Sequence, residues 1–338
     1  MIGLFKEGSA EFQAAKGEIS SKLEVFYNPM MELNRSVSVW LVKKLKPKAI
    51  CCPMVASGVR PIRLALEAGA KNITANDASR TAFDFMVRNF ARNNVKIEAF
   101  NLPMRQLLEG RRFDYIDIDP FGTPSYYIRP ALGSLNEDGI LALTATDTSC
   151  LCGRYIKACE RKYSARPLRC GFSKEIGLRI LIGKAQEVAG DRLLTPVMSH
   201  SSNHYMRAYL RYGGKGRNER GFVLYCPKCL SWRVSGGEEG SCCGSEMEHA
   251  GPLYTGPLWD RDFVKDFGLI PYIKEESEVG VLGFYDTHDI AQVYQKDAPR
   301  IERLIECLKK KGFKASRTHF KPEGVKTDAE IKEVTSCP

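Results

Sequence analysis

The stretch FDYIDIDPFG, residues 113–122, decides the fold. Phe113 to Ile118 alternates and is apolar enough for a strand with a buried face, and Asp119-Pro120-Phe121-Gly122 follows at once. Proline and glycine mark the end of that strand, because both favour turns. Taken alone, the tetrad reads as a turn. At the carboxyl end of a strand, an acid, a proline and an aromatic ring also form a device that presents a planar amine nitrogen to an electrophile. The lone pair of such a nitrogen is delocalised into its ring. The site must accept its N–H protons and hold it in line, so that positioning supplies much of the rate.

The residues upstream favour the second reading. Ala49 to Val55 is a short apolar run ending in Ala56-Ser57-Gly58. A helical stretch follows with Ile62, Leu64, Ala65, Leu66 and Ala68, and Gly69 closes it where a C-cap glycine belongs. Asn72 to Ala75 reads as a second strand, with Asn76-Asp77 at its end. Ser79 opens a helix whose apolar face includes Ala82, Phe85, Met86, Val87 and Phe90. Ile97 to Phe100 is a third strand and Phe113 to Ile118 a fourth. Gly139 to Thr146, GILALTAT, is a fifth, nearly continuous in apolar and β-branched residues as a buried parallel strand is. This alternation predicts an open, doubly wound α/β sheet. Such sheets bind ligands outside the carboxyl ends of their strands, where strand order reverses.

Three strand ends carry interpretable residues. Gly58 allows close approach of the backbone to a ligand, Asp77 is placed to accept from ribose hydroxyls, and Asp119 lies where a transferred group meets its acceptor. A dinucleotide enzyme shares the first two. However, Val55-Ala56-Ser57-Gly58-Val59-Arg60 has one glycine, not the G-x-G-x-x-G that cradles a pyrophosphate. S-adenosylmethionine has no phosphate and needs only one close approach. Each residue has a plainer reading: a turn glycine, a helix N-cap, a turn. Their coincidence at strand ends of one sheet predicts a Rossmann-like class I S-adenosylmethionine-dependent methyltransferase domain.

The chain has 338 residues, enough for two domains and a small module. Its hydrophobic content of 43% is that of an ordinary globular protein, and no apolar run is long enough to span a bilayer. Met1 to Glu11 carries Lys6, Glu7 and Glu11 and lacks the apolar core of an export signal. Twelve cysteines without such a signal predict a reducing cytoplasm, with thiols buried or metal-bound rather than in disulfides. A net charge of +10 suits an anionic partner such as nucleic acid, or simply keeps the surface soluble.

Several motifs, in matching order, resemble the Trm1 family, the tRNA guanine-26 N2-dimethyltransferases. They are Val25-Phe26-Tyr27-Asn28-Pro29 through Glu32-Leu33-Asn34-Arg35, Ala56-Ser57-Gly58-Val59-Arg60, Asn76-Asp77, Asp117 to Gly122 and Thr144 to Thr148. Leu151-Cys152-Gly153, Glu175 to Leu181, Phe284 to His288 and Arg317 to Phe320 continue the resemblance across almost the whole chain. It implies that Asp119 handles the proton of the guanine N2 amine and that Phe121 helps enclose the base or donor. It also implies that Phe26 packs on the donor, while Arg35, Arg60 and Asp77 contribute to its site. A guanidinium such as that of Arg35 can pair with the donor's carboxylate; Phe26 equally suits a core anchor. At the end of the third strand the family tends to carry an acid facing the adenine. This chain has Asn101-Leu102, whose amide can bond the adenine edge instead. Asp147 is a secondary candidate, or a cap on the next turn. His200 and His204 read as structural.

In the carboxyl-terminal part, Arg207 to Gly221 holds five basic residues and one acid among glycines, and reads as a basic loop or connector. Cys226-Pro227-Lys228-Cys229 forms one knuckle of a zinc ribbon, and Cys242-Cys243 supplies two more thiols. Adjacent cysteines strain as ligands of one ion; the family pattern has C-x-x-C here, with Gly240 at the earlier position. Cys226, Cys229, Cys242 and Cys243 are the expected ligands, Cys243 the safer of the later pair and His249 a substitute, and the metal is structural. Cys51, Cys52, Cys150, Cys152, Cys159 and Cys170 read as buried small residues. Ile301, Leu304, Ile305 and Leu308 have helical spacing before Lys309-Lys310-Lys311, suited to a helix carboxyl end. From Arg303 to Lys326, eight basic residues face two acids, with Phe313, His319 and Phe320 among them. That mixture suits RNA, whose splayed bases stack on aromatic rings. The last ten or so residues are expected to be disordered.

The sequence therefore predicts methyl transfer from S-adenosylmethionine to the exocyclic N2 of guanosine 26 in tRNA, with the base drawn from its stack. Residues 1–213 form the methyltransferase domain. Residues 214–338 form a smaller α+β tRNA-binding domain with a zinc ribbon at about 224–250. Neither a membrane nor an obligate protein partner is expected. Two other readings share parts of this pattern: an amino methyltransferase acting on N6 of adenine in DNA, and a non-catalytic zinc-containing RNA-binding protein.

Overall fold

The strand that leads into Asp119 lies among parallel strands in the computed structural model, which describes residues 2–17 and 23–337. The chain divides into two units, Met1–Thr144 with Arg211–Gly214, and Ala145–Leu210 with Lys215–Pro338.

The first unit runs β1 (Ile2–Glu7), β2 (Ala10–Ala15), α1 (Glu32–Leu45), β3 (Ile50–Cys52), α2 (Val59–Ala68), β4 (Ile73–Asn76) and α3 (Arg80–Arg92). It continues with β5 (Glu98–Phe100), α4 (Met104–Leu108), β6 (Phe113–Ile118), α5 (Ile128–Gly133) and β7 (Leu135–Ala145). The parallel strands stand in the order β5-β4-β3-β6-β7. Order reverses between β3 and β6, and sheets of this kind take ligands in the crevice outside the carboxyl ends at such a point. Gly58 follows β3 and Asp119 follows β6, one on each side of it. Helices α2 and α3 end and begin as the sequence expects. Gly69 caps α2 in the left-handed region, and the Ser79 hydroxyl accepts from Ala82 N at 3.3 Å. Ile50, Ile73, Ile116, Ile118, Leu141 and Leu143 are buried, which explains the near-continuous apolar runs.

The antiparallel hairpin β1-β2 was not among the expected elements. It turns at Gly8, whose φ is +53°, and its Phe5 and Phe12 rings pack with Tyr27 at centroid distances of 5.0 and 4.8 Å. Burial of this hairpin places the Glu7 carboxylate inside the unit.

The second unit begins with α6 (Thr148–Leu151), α7 (Ile156–Tyr163), α8 (Ser173–Ala189), β8 (Arg192–Ser202), β9 (Tyr205–Lys215) and β10 (Arg220–Tyr225). Then come β11 (Trp232–Ser235), the short hairpin β12 (Ser241–Cys242) and β13 (Ser245–Glu246), and β14 (Glu248–Tyr254). The rest is α9 (Arg261–Val264), α10 (Ile273–Val279), β15 (Tyr285–Asp286), α11 (Thr287–Tyr294), α12 (Ile301–Lys310), β16 (Ala315–Arg317), β17 (Gly324–Thr327) and α13 (Ile331–Thr335). Two three-stranded sheets, β11-β10-β14 and β15-β17-β16, organise it. Charge is buried here in pairs: Lys326 Nζ bonds Glu175 Oε2 at 2.8 Å, Arg179 holds Glu175 Oε1 at 2.9 Å, and Gly283 N donates to the same oxygen at 3.0 Å. Burial opposes ionisation of Glu175, but Lys326, Arg179 and that backbone bond outweigh it and bring it down to about 2.

Three expectations are corrected. The basic stretch from Arg207 is mostly strand, with Arg207 itself fully buried in β9; only residues 216–219 connect β9 to β10. The carboxyl end is ordered as α13, with Val334 buried. A disulfide, Cys307–Cys337, ties α12 to the residues after α13, so the cysteines do not all stay as thiols. Cys51, Cys52, Cys150 and Cys159 are buried as expected, whereas Cys152 and Cys170 are only partly so. The α12 stripe is core at Leu304 and Leu308.

Candidate active site and a four-cysteine centre

Side chains alternate across a strand, so Tyr115, Asp117 and Asp119 point to one face of the β6 line. Tyr115 Oη donates to Asp117 Oδ2 at 2.7 Å. Arg60, in the first turn of α2, reaches the same face and is 6% exposed. Its Nη2 bonds Asp119 Oδ2, and its Nη1 lies 3.5 Å from Asp117 Oδ2. From α1, Ser38 Oγ accepts from Nη1 at 2.7 Å and Asn34 Oδ1 from Nη2 at 2.8 Å. Asn34 is held in turn by Thr144 Oγ1 at 3.4 Å, near the end of β7. The guanidinium is thus fixed by one helix, α1, and by β6 with the turn that follows it. It balances two carboxylates that would otherwise repel. Asp119 Oδ1 has no hydrogen-bond partner among the described residues.

Next to Asp119, Phe121 is 55% exposed and meets Phe26 edge to face, with centroids 4.5 Å apart. The two expected aromatics therefore stand together, one half-buried and one open for stacking. Gly58 has φ +79°, and a Cβ there would sit 2.9 Å from the Phe90 ring. The glycine is required by its backbone conformation and by α3 packed behind it. Asp77 Oδ2 accepts from Ala56 N at 2.8 Å and its Oδ1 from Ser79 N at 2.9 Å. Asp77 thereby ties the turn before Gly58 to the start of α3. Asn76 is buried and bonds Pro53 O, Leu102 O and Leu102 N. Asn101 Nδ2 donates to Asp77 O at 2.8 Å and Ala78 O at 3.1 Å, which braces the same rim.

Arg35 is placed differently. Its Nε donates to Glu7 Oε1 at 2.7 Å, its Nη2 pairs with Glu7 Oε2, and Asn28 O accepts at 2.9 Å. Arg63 joins at Glu7 Oε1, 2.8 Å away, and holds Glu67 as well. Burial opposes the charge of Glu7, but the two guanidiniums outweigh it and hold the carboxyl below its ordinary value. The paired edge of Arg35 is thus taken by Glu7, not turned toward the crevice. Asp147 accepts from Lys162 Nζ at 2.9 Å and Tyr163 Oη at 2.6 Å, a structural role. His200 is buried and its charge is disfavoured by burial.

Asn34, Ser38 and Asp117, which surround Arg60, and Glu7, which takes Arg35, were not among the residues expected from the sequence. Asn34 and Ser38 are spaced four apart on α1, and Asp117 stands two before Asp119. A search for polar side chains at those spacings inside apolar elements would have marked them.

In the second unit the four sulfurs of Cys226, Cys229, Cys242 and Cys243 all lie within 4.8 Å of one another. Cys229 and Cys242 are 3.6 Å apart, and Cys242 and Cys243 3.7 Å. Cys243 and Gly244 have φ of +52° and +68° between the paired Cys242 and Ser245. This is the hairpin turn whose two central residues are left-handed, and it swings the adjacent thiols to one side. A tetrahedron with metal–sulfur bonds of about 2.3 Å has edges of about 3.8 Å, so the donor set fits a dication. Burial opposes ionisation of Cys229, but hydrogen bonds from Ser231 and the neighbouring thiols bring it down to about 7. Its thiol neighbours push Cys243 up to about 12. His249 is outside the cluster and faces Glu238 at 3.8 Å.

A parallel sheet reversing at β3 and β6, with an acid-proline-aromatic turn at the crevice, defines an α/β methyltransferase. A family model described as N2,N2-dimethylguanosine tRNA methyltransferase matches residues 7–337, and the chain belongs to that family. The tRNA (guanine(26)-N(2))-dimethyltransferase of Methanothermobacter thermautotrophicus is 37% identical over 365 aligned positions, spanning 97% of this chain and 96% of that one. An Aquifex aeolicus relative named for guanine 26 and guanine 27 is 35% identical, over 94% of this chain and 90% of its own. The structure of Trm1 from Pyrococcus horikoshii with S-adenosyl-L-methionine matches with a TM-score of 0.88 at 30% identity, over 98% of both chains.

Proposed function

We propose that this chain transfers methyl groups from S-adenosylmethionine to the exocyclic N2 of guanosine 26 in tRNA, giving N2,N2-dimethylguanosine. The observation that carries the reading is Asp119 held by Arg60 at the switch point, with one carboxylate oxygen left for a substrate N–H. The donor supplies an electrophilic methyl on a positive sulfur. Asp119 accepts an N–H of the amine and orients its lone pair in line with the methyl carbon. As the nitrogen–carbon bond forms, the sulfur–methyl bond breaks and its electron pair stays on sulfur. The nitrogen becomes positive and its proton passes to the carboxylate, then to water. A second cycle uses the remaining N–H. Arg60 holds the carboxylate in one orientation for each round and lies beside Asp117 as well.

Phe121 and Phe26 support an aromatic wall for the base or donor. Gly58, Asp77, Asn101 and Leu102 support the rim that receives the adenosine half, Asn101 standing where the family carries an acid. Arg35 reaches the donor's carboxylate only if that group replaces Glu7 on its paired edge. Four thiols at tetrahedral spacing support structural zinc on Cys226, Cys229, Cys242 and Cys243, the ribbon expected at about 224–250. Residues 1–213 would carry the transfer and residues 214–338 would grip the tRNA.

The test is to incubate protein, unmodified tRNA and methyl-labelled donor, then digest one part to nucleosides to identify the product and another with a base-specific ribonuclease to fragments that locate it, both by mass analysis. N2,N2-dimethylguanosine confined to position 26 supports the reading. Label in duplex DNA, or no label with intact donor binding, contradicts it.

A further inference from the structure

A groove of the first unit lies away from the crevice. It has a volume of about 800 Å³ and runs between α4 and α5 over the loop before β6. Arg105, Arg111, Arg112 and Arg129 line it, with Glu109 the single acid. Two of these arginines are held in place. Arg111 pairs with Glu98 at 3.3 Å and lies over the Phe100 ring at 4.2 Å; Arg112 donates to Gly133 O at 2.6 Å. Arg105 and Arg129 are exposed, on the helices to either side, and have no partner among the described residues. Glu98 offsets Arg111, but Arg105, Arg112 and Arg129 then stand around Glu109 alone, an excess of positive charge that suits an anion.

The groove connects with the reacting turn through the chain itself. After Asp119-Pro120-Phe121, a helical turn at Ser125–Tyr127 runs directly into α5. It carries Tyr126, which is 63% exposed. Tyr126 and Arg129 are three residues apart on that continuous helical run, so they share a face. Exposed side chains therefore follow one another from Phe121 to Tyr126 to Arg129 and into the groove. Aromatic rings stand nearest the acceptor and arginines farther along. Gly133 and Ser134 place the far end of the groove at the amino ends of β6 and β7, about 20 Å from Asp119 by the length of a six-residue strand.

We infer that this track is an RNA-backbone contact of the methyl-transferring unit itself: Tyr126 stacks on a base next to the extracted one, and Arg105 and Arg129 meet phosphates several nucleotides away. This deepens the tRNA reading above and rests on it. The layout suits a polyanion better than a single small anion, because the two unpartnered cations sit on separate helices rather than converging with backbone N–H groups. It also gives the extracted nucleotide's flanks a hold on the same unit as Asp119.

The test uses the full-length protein and unmodified tRNA, with binding measured across a salt series. For Arg105→Glu/Arg129→Glu, tRNA affinity should fall at least tenfold, and the slope of log affinity against log salt should flatten by about 1.5, as for two lost phosphate contacts. Donor affinity and saturating kcat should stay near wild type, so the loss appears in KM for tRNA. Arg105→Lys/Arg129→Lys should stay within about threefold of wild type, since phosphate contact needs charge. Tyr126→Ala should raise KM without changing the salt slope, because stacking releases no counterions. If the reversed pair does not fold, Arg105→Gln and Arg129→Gln singly should each flatten the slope by about half as much. Wild-type affinity and slope in the variants would overturn the inference while leaving tRNA methylation standing. A wild-type protein that neither binds nor methylates tRNA would instead remove the reading beneath it.

Discussion

Arg60 and Asp119 are ion-paired across the switch point, and the same guanidinium lies 3.5 Å from Asp117. Two carboxylates on one face of a strand end would repel each other. One buried arginine, fixed by Asn34 and Ser38, prevents this and leaves Asp119 with a defined orientation.

Removing that arginine should therefore damage chemistry more than binding. Arg60→Ala is expected to lower kcat by about 10²-fold, in the range of a lost proton-handling group. Arg60→Lys keeps the charge but not the fork and should recover only part of the loss. Single-turnover transfer at saturating donor and tRNA measures both.

The Glu7 triad makes a separate prediction about stability. Glu7→Gln leaves Arg35 and Arg63 buried without their carboxylate, and breaking such a pair costs about 3–5 kcal/mol. A drop in Tm with unchanged donor affinity would mean that Arg35 is purely structural. A drop in donor affinity from Arg35→Ala beyond that of Glu7→Gln would mean that it also meets the donor.

Acid stability should report the second unit's buried acid. Glu175 has its ordinary value of 4.5 when exposed and about 2 when folded. Its folded value is the lower one, so its contribution is complete above pH ~4.5 and is lost as pH falls toward ~2. Wild type should lose stability across that window. Glu175→Gln should be less stable at neutral pH and lose less over the same range, as denaturant midpoints against pH will show.

The four-cysteine centre predicts one zinc per chain by elemental mass spectrometry after purification without added metal. Cys226→Ser should fall well below one, whereas Cys51→Ser, buried in β3 outside the cluster, should keep it. Substoichiometric zinc in freshly reduced wild type would argue against the metal assignment.

Much of this was readable in advance, for identifiable reasons. Apolar runs punctuated by glycine specified β3, β4, β6 and β7, and strand-end position picked out Asp77 and Asp119, because periodicity and turn chemistry are local. What depends on tertiary pairing was not readable. The β1-β2 hairpin lies in a short charged segment read only as lacking an export-signal core, and the role of its Glu7 depends on Arg35 and Arg63, distant in sequence. Arg207 looked like part of a basic connector, yet it lies in a strand interior. Gly58 reads in the sequence as a close approach to a ligand, but the contact that excludes a side chain comes from Phe90, thirty-two residues on. Adjacent Cys242 and Cys243 looked strained as joint ligands because the left-handed turn that joins them is not a property of either cysteine alone.

The most direct measurement is methyl transfer by Asp119→Asn under single-turnover conditions, with donor affinity measured on the same preparation. Donor binding should stay within a few-fold of wild type and the transfer rate should fall by about 10²–10⁴-fold, since an amide accepts an N–H but cannot take the proton. Transfer at the wild-type rate would contradict the role given to Asp119.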